Sequence, residues 1–147
     1  MELRELQASV GQAIGTSDWI EVGQDRIDQF ADATGDHQYI HVDPVRAKDS
    51  PFGQTIAHGF LTLSLLAPMM ENATPAIDAK MSVNYGFNKV RFLSPVRSGK
   101  RIRGHFTLTE LVEKRPGQWQ QTMEFTVEIE GEDKPALMAE WITQIFV

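Results

Sequence analysis

The fold is decided by residues 59–70, Gly-Phe-Leu-Thr-Leu-Ser-Leu-Leu-Ala-Pro-Met-Met. Apolar side chains occupy nearly the whole circumference of a helix built from this stretch, which predicts a helix buried on most of its sides. Pro68 has no N–H to donate to the carbonyl of Ser64, so we expect a kink or an early end there. The apolar run from Phe60 to Met70 is far shorter than the roughly 20 residues that cross a bilayer.

The apolar period changes from helix to strand beyond Thr74. Alternate positions of residues 119–129 are apolar except for Gln121, which predicts a half-buried strand. Residues 137–147 are apolar on both faces, as in a central strand. Further strands are predicted around Val83–Phe87 and Phe106–Leu108, with turns at Ser98-Gly99, Pro116-Gly117 and residues 131–133.

The N-terminal part of the chain is helical after a short strand at residues 19–22. Residues 24–34 carry apolar side chains at helical spacing and end at Gly35. A loop follows at 35–42, and Asp43 and Pro44 cap and open another short helix. Helices followed by antiparallel strands indicate a single α+β domain over residues 1–147, with the sheet curled around the apolar helix, which is a hot-dog fold.

A sheet of four or five strands leaves an unpaired edge and an open flank on the helix. Pairing of two such edges would cover both, so we expect a homodimer.

Composition excludes several classes of function. The chain has no cysteine, which rules out a thiol nucleophile and cysteine-based zinc sites. The net charge of -6 argues against nucleic acid as a partner. The first six residues carry charges of both signs and lack the apolar core of a secretory signal, so we expect a cytoplasmic protein that does not bind membranes.

Basic residues are concentrated between Ala79 and Thr109, where seven Lys or Arg occur without a single Asp or Glu. One interpretation is a docking strip for a phosphorylated small molecule, with Arg97 and Arg101 as candidate contacts. The other is that these are exposed strand residues that protect sheet edges from aggregation.

Three carboxylate or imidazole side chains lie in the loop after the first helix. Asp36 and His41 are five residues apart across a turn, so they can converge on one water molecule and exchange its proton. Alternatively, Asp36 bonds loop amides and His41 fills a partly buried position. His37 and His41 have the i, i+4 spacing of zinc ligands, but Gln38 stands where zinc proteases need glutamate. We therefore expect no metal.

A second element is His58-Gly59, at the start of the apolar helix. A glycine at a helix N-terminus exposes backbone N–H groups that can bind an oxyanion. The same pair is also compatible with an ordinary helix start.

The run from Gly35-Asp36 through His41-Val42-Asp43-Pro44, followed by residues 55–62, closely resembles the MaoC-like dehydratases, which include R-specific enoyl-CoA hydratases. Val83-Asn84-Tyr85-Gly86, together with Val90-Arg91-Phe92 and Pro95-Val96, resembles the subgroup related to nodulation protein N. The resemblance implies a hot-dog homodimer, an acyl-CoA thioester substrate and no metal or other cofactor. It also implies that Asp36 and His41 are the catalytic pair and that the Gly59 amide binds the thioester carbonyl.

The sequence departs from the family pattern at two places. Gln38-Tyr39 stands where many members have Asn-Pro, and Ala67 stands where some carry a serine that supports the aspartate, with Ser64 one turn earlier. The expected reaction is hydration of a 2-enoyl-CoA to the R-3-hydroxyacyl-CoA. Acyl-CoA thioesterase activity and non-catalytic acyl-thioester binding are the alternatives, because one fold hosts many functions.

Overall fold

The computed structural model describes all 147 residues. The N-terminal half contains short helices and two short strands, and the C-terminal half contains four long strands. The elements are α1 (Leu3–Leu6), a 3-10 turn (Gln7–Ser9), β1 (Ala13–Thr16), β2 (Ile20–Val22), α2 (Gln24–Thr34), α3 (Tyr39–Val42), α4 (Pro44–Ala47), α5 (Gly59–Ser64), α6 (Leu66–Ala73), β3 (Met81–Phe92), β4 (Lys100–Arg115), β5 (Gln118–Ile129) and β6 (Leu137–Phe146).

All six strands form one antiparallel sheet in the order β1-β4-β5-β6-β3, with β2 also paired to β4. The alternation predicted for residues 119–129 is confirmed, and β6 is central with most of its side chains buried. A tight turn at Gly117, whose φ is +79°, joins β4 to β5. The sheet therefore has the predicted α+β hot-dog architecture.

The apolar helix lies against this sheet and is interrupted as the sequence predicts. α5 ends at Ser64 and α6 begins at Leu66, so the break lies just before Pro68, whose missing N–H would otherwise bond the Ser64 carbonyl. Leu66 and Met69 are fully buried in the core with Phe106. Gly15 on β1 makes room for the end of α6, because a Cβ there would overlap the Ala73 carbonyl oxygen.

The helices differ from the sequence prediction at two places. The apolar helix is not buried on most sides, since Phe60, Ser64, Ala67 and Pro68 form an exposed stripe along α5 and α6. The segment 35–42 is not wholly a loop, because 39–42 form the single turn α3, too short to give a periodic pattern. No helix has the length and apolar character needed to span a bilayer.

Strand β3 forms one edge of the sheet and is exposed along most of its length. It pairs with β6 on one side only, so its other edge offers unpaired backbone groups. Several apolar side chains of this strand are exposed, among them Val83 at 46% and Tyr85 at 68%.

Candidate active site

Asp36 lies immediately after α2, where the chain turns. Gly35 ends the helix with a φ of +81°, a left-handed conformation that favours glycine. The Asp36 side chain is exposed, and its Oδ1 accepts the backbone N–H of Gln38 at 3.3 Å. The bond to a loop amide considered from the sequence is thus present, and it leaves the other carboxylate oxygen without a protein partner.

His41 lies on α3 and is 93% buried. Its Nδ1 is 2.7 Å from the carbonyl oxygen of Ile56. A carbonyl only accepts hydrogen bonds, so Nδ1 carries the hydrogen and Nε2 presents a lone pair. Burial is the main cause that lowers the pKa of His41 below 6.5, with His58 acting in the same direction. The ring is therefore neutral near pH 7 and can accept a proton at Nε2.

His58 contacts both Asp36 and His41. The sequence alone assigns it no role. It is 98% buried, and its ring stacks on that of His41 with centroids 3.9 Å apart. Its Nε2 is 3.0 Å from the backbone carbonyl oxygen of Asp36. A carboxylate oxygen of Asp36 and one ring nitrogen from each histidine all lie within 4.8 Å of one another. The convergence of Asp36 and His41 predicted from the loop spacing is thus present.

The donor set of this cluster is a poor fit for a metal ion. The His41 and His58 rings are stacked 3.9 Å apart at 23°, so their lone pairs lie in two nearly parallel planes and do not converge on one point. The other ligand pair suggested by spacing, His37 and His41, is separated, because His37 is exposed and bonds Asp32 at 2.9 Å. That bond raises the pKa of His37. The donor set therefore does not support metal chemistry at this site.

Gly59 is the first residue of α5, beside the buried His58. Its backbone N–H and that of Phe60 donate to no protein acceptor. Gly59 lines a cavity of about 220 Å³ together with Phe52, Thr62 and Phe92. A Cβ at Gly59 would lie 2.8 Å from the Phe92 ring, so only glycine fits there without displacing this ring. These free donors can bind an anionic oxygen that enters the cavity.

A second hollow lies beside the Asp36 carboxylate. It is lined by Asp36 together with Phe30, Phe60, Leu63 and Ser64. The exposed stripe of α5 thus forms a largely apolar wall beside the carboxylate.

The two serine-related positions do not support Asp36 through a hydrogen bond. The Ser64 hydroxyl donates to the Phe60 carbonyl of its own helix at 2.7 Å. Ala67 has no polar atom on its side chain and is exposed. Asp36 is held instead by its loop and by the His58 ring.

The structure separates the two arginines proposed as phosphate contacts. Arg97 is half-buried, and its Nε donates to the Phe52 carbonyl at 3.1 Å, which places it beside the Gly59 cavity. Arg101 forms a two-pronged pair with Glu130, the residue just after the end of β5, and this pair lowers the pKa of the glutamate. Arg103 pairs with Glu128 in the same way. Part of the basic strip is therefore neutralised by cross-strand partners.

Comparison with known proteins places these features in a family. A family model described as MaoC like domain matches residues 5–132. Nodulation protein N of Rhizobium leguminosarum bv. viciae is 52% identical over 147 residues, covering 99% of this chain and 91% of that protein. 3-Hydroxyacyl-thioester dehydratase Z of Mycobacterium tuberculosis (strain ATCC 25618 / H37Rv) is 47% identical over 140 residues, covering 95% of this chain and 93% of that protein.

Solved structures agree on the architecture. A monoamine oxidase regulatory protein from Archaeoglobus superposes with a TM-score of 0.79 at 26% identity, covering 93% of this chain and 90% of that one. The (R)-hydratase from A. caviae superposes with a TM-score of 0.74 at 23% identity, covering 90% and 95%, which is evidence for the fold alone. Fold and relatives together define the class of protein as a hydro-lyase built on a hot-dog sheet. Within that class, the chain belongs to the MaoC-like dehydratase family.

Proposed function

We propose that this protein is an R-specific 2-enoyl-CoA hydratase, which adds water reversibly to a trans-2-enoyl-CoA and yields an R-3-hydroxyacyl-CoA. The observation that carries the proposal is the meeting of the Asp36 carboxylate with the His41 ring within 4.8 Å, next to the free amide of Gly59. The 47% identity to a 3-hydroxyacyl-thioester dehydratase supports the same chemistry in the reverse direction.

Asp36 and His41 act on the water. The free carboxylate oxygen of Asp36 and the Nε2 lone pair of His41 hold one water molecule by accepting hydrogen bonds from it. As the water oxygen bonds to C3 of the enoyl chain, one water proton passes to this pair and is delivered from it to C2, and the other stays on the new hydroxyl group. The double bond is thus replaced by one C–O and one C–H bond. Dehydration reverses each step with the same two groups.

Gly59 acts on the thioester carbonyl. Negative charge collects on the C1 oxygen as C3 is attacked, and the unpartnered Gly59 N–H stabilises it. The cavity beside Gly59 receives this part of the substrate. The apolar hollow beside Asp36 lies next to the reacting carbons and suits an acyl chain.

Arg97 is the proposed contact for the phosphates of coenzyme A, because it lies beside the Gly59 cavity and no carboxylate neutralises it. Arg97→Ala should raise KM for crotonyl-CoA severalfold and change kcat little. Arg101→Ala is the matched control, and we expect a smaller rise because its charge is already matched by Glu130. Steady-state kinetics of both variants would measure this. Equal KM values for Arg97→Ala and the wild type would exclude Arg97 as a contact for the phosphates of coenzyme A.

We also propose that the protein is a homodimer joined through strand β3. The free edge and exposed apolar side chains of this strand support the assignment.

Crotonyl-CoA separates the candidate activities in one experiment. Loss of the enoyl absorbance without thiol release is expected for the hydratase. Release of free thiol would instead identify a thioesterase, and binding with neither change would identify an acyl-thioester-binding module. A series of enoyl-CoA substrates of increasing length would then define the acyl preference.

A further inference from the structure

We propose that His58 is the positioning residue of this site, holding Asp36 through its backbone and His41 through its ring. The inference rests on the proposed hydratase function and deepens it. It also supplies the support for Asp36 that neither Ser64 nor Ala67 provides.

The contact with Asp36 is a hydrogen bond to the main chain. His58 Nε2 donates to the Asp36 carbonyl oxygen at 3.0 Å across 22 residues of sequence. Asp36 lies in the turn between α2 and α3, and its side chain is anchored only by the amide of Gln38. The bond from His58 therefore ties this exposed turn to the buried start of α5.

The contact with His41 is a ring stack. The His41 ring is held at its edge by the Ile56 carbonyl and on one face by the His58 ring, 3.9 Å away. Phe30 packs against His58 with ring centroids 4.9 Å apart. Phe30 is tilted by 57° against His58, so only His41 and His58 are stacked, and this stack restricts the plane in which the His41 lone pair lies.

Gly59 follows His58 directly in the chain. The residue that contacts both the acid and the base is thus covalently joined to the proposed oxyanion donor. Asp36, His41 and the Gly59 amide are thus all positioned by the start of α5. Small displacements of such groups lower a reaction rate by large factors.

The choice of histidine is informative because folding alone would not favour it. With the hydrogen on Nε2, the other ring nitrogen presents a lone pair, and His58 Nδ1 is buried without any hydrogen-bond partner. A buried, unpaired polar atom destabilises a fold, and an aromatic hydrocarbon would fill the same space without one. An aromatic hydrocarbon could not donate the Nε2–H hydrogen bond to the Asp36 carbonyl, and this bond therefore explains the histidine.

Two substitutions separate the hydrogen bond from the stack. His58→Gln keeps an N–H at the place of Nε2 and removes the ring, whereas His58→Phe keeps a stacked ring and removes the donor. Thr143→Val, at another buried polar position, controls for the general cost of altering such a group. Thermal melts monitored by circular dichroism verify folding of each variant.

We expect His58→Phe to lower kcat for crotonyl-CoA hydration by about 10- to 100-fold with KM nearly unchanged. His58→Gln should recover much of this loss, and Thr143→Val should turn over at the wild-type rate. Unchanged kcat in both His58 variants, or equal losses in both, would overturn the assignment of the hydrogen bond.

A second measurement does not depend on activity. Nitrogen-15 NMR of histidine-labelled protein should show the hydrogen on Nε2 of His58 and on Nδ1 of His41. In His58→Gln the pKa of His41 should rise, because one of its lowering influences is removed. A His58 hydrogen found on Nδ1 would overturn the positioning role even in an active enzyme. Failure of the wild type to hydrate any enoyl-CoA would instead overturn the proposed function and leave the NMR result standing.

Discussion

Asp36 and His41 differ in how much a substitution disturbs the structure around them. Asp36 is exposed and bonds only through Oδ1, so its replacement disturbs little packing. His41 is buried and hydrogen-bonded, so its replacement affects both chemistry and local order. This difference lets substitutions at the two positions distinguish a loss of chemistry from a loss of structure.

Asp36→Asn should lower the rate of crotonyl-CoA hydration by roughly a hundredfold or more, because the amide cannot accept a proton from water. His41→Gln should lose a similar factor by removing the Nε2 lone pair. The thermal midpoint of Asp36→Asn should remain near that of the wild type. The exposed Asp32→Asn is a matched control for loss of a carboxylate near the site. Wild-type turnover in Asp36→Asn would exclude the acid from the chemistry.

The acid side of the pH profile reports on His41. Its pKa in the folded protein lies below 6.5, chiefly because of burial. We therefore expect kcat/KM to fall at acid pH as Nε2 is protonated, with the midpoint of this fall below pH 6.5. The free energy of unfolding should also fall as the pH drops below 6.5. In that range His41 binds a proton more readily in the unfolded chain than in the folded one, which favours unfolding. An acid limb with a midpoint above pH 6.5 would contradict this account.

At the scale of elements, the end of α6 packs against β1 through a contact that only glycine permits. A Cβ at Gly15 would overlap the Ala73 carbonyl, which must then move together with the helix. By contrast, a Cβ at Gly86 on β3 would meet nothing within 4 Å. The two glycines therefore form a matched pair for testing how closely the helix and the sheet are packed.

Gly15→Ala should reduce the free energy of unfolding by about 1–3 kcal/mol or more, as overpacking does. Gly86→Ala should change it much less. Urea unfolding of both variants measures the difference, and equal stability of the two would show that α6 can shift at no cost.

Features that depend on neighbouring residues could be predicted from the sequence, whereas contacts between distant parts of the chain could not. The sequence predicts the helix over residues 24–34 with the bounds that α2 has, because apolar spacing and Gly35 mark it locally. The meeting of Asp36 with His41 followed from a short loop. The pairing of Arg101 with Glu130 was not foreseen, because it depends on the register of β4 against β5. Likewise, the role of His58 depends on a partner 22 residues away.

At the scale of the whole molecule, the free edge of the sheet is the main unsatisfied surface. The twelve-residue strand β3 pairs with β6 on one side and leaves the backbone donors and acceptors of its other side unpaired, and several large apolar side chains stand on the same strand. A second copy of the chain can pair with this edge by two-fold symmetry.

Light scattering coupled to size-exclusion chromatography should give twice the 16.5 kDa of one chain. The double substitution Val83→Lys and Tyr85→Lys should shift the protein toward the monomer, since it places charges on the exposed strand. Val45→Lys, at an exposed apolar residue of α4, is the control and should leave the mass unchanged. A wild-type mass of one chain would rule out the dimer.

Phe92, whose ring closes over Gly59, is the last residue of that same edge strand. Any neighbour that steadies β3 thereby also steadies the wall over the proposed oxyanion donor. Association of two chains and the shape of the thioester pocket would then be coupled through one aromatic ring. In that case specific activity would depend on protein concentration. It would fall on dilution, because the chains separate and the Phe92 ring is no longer held in place over Gly59.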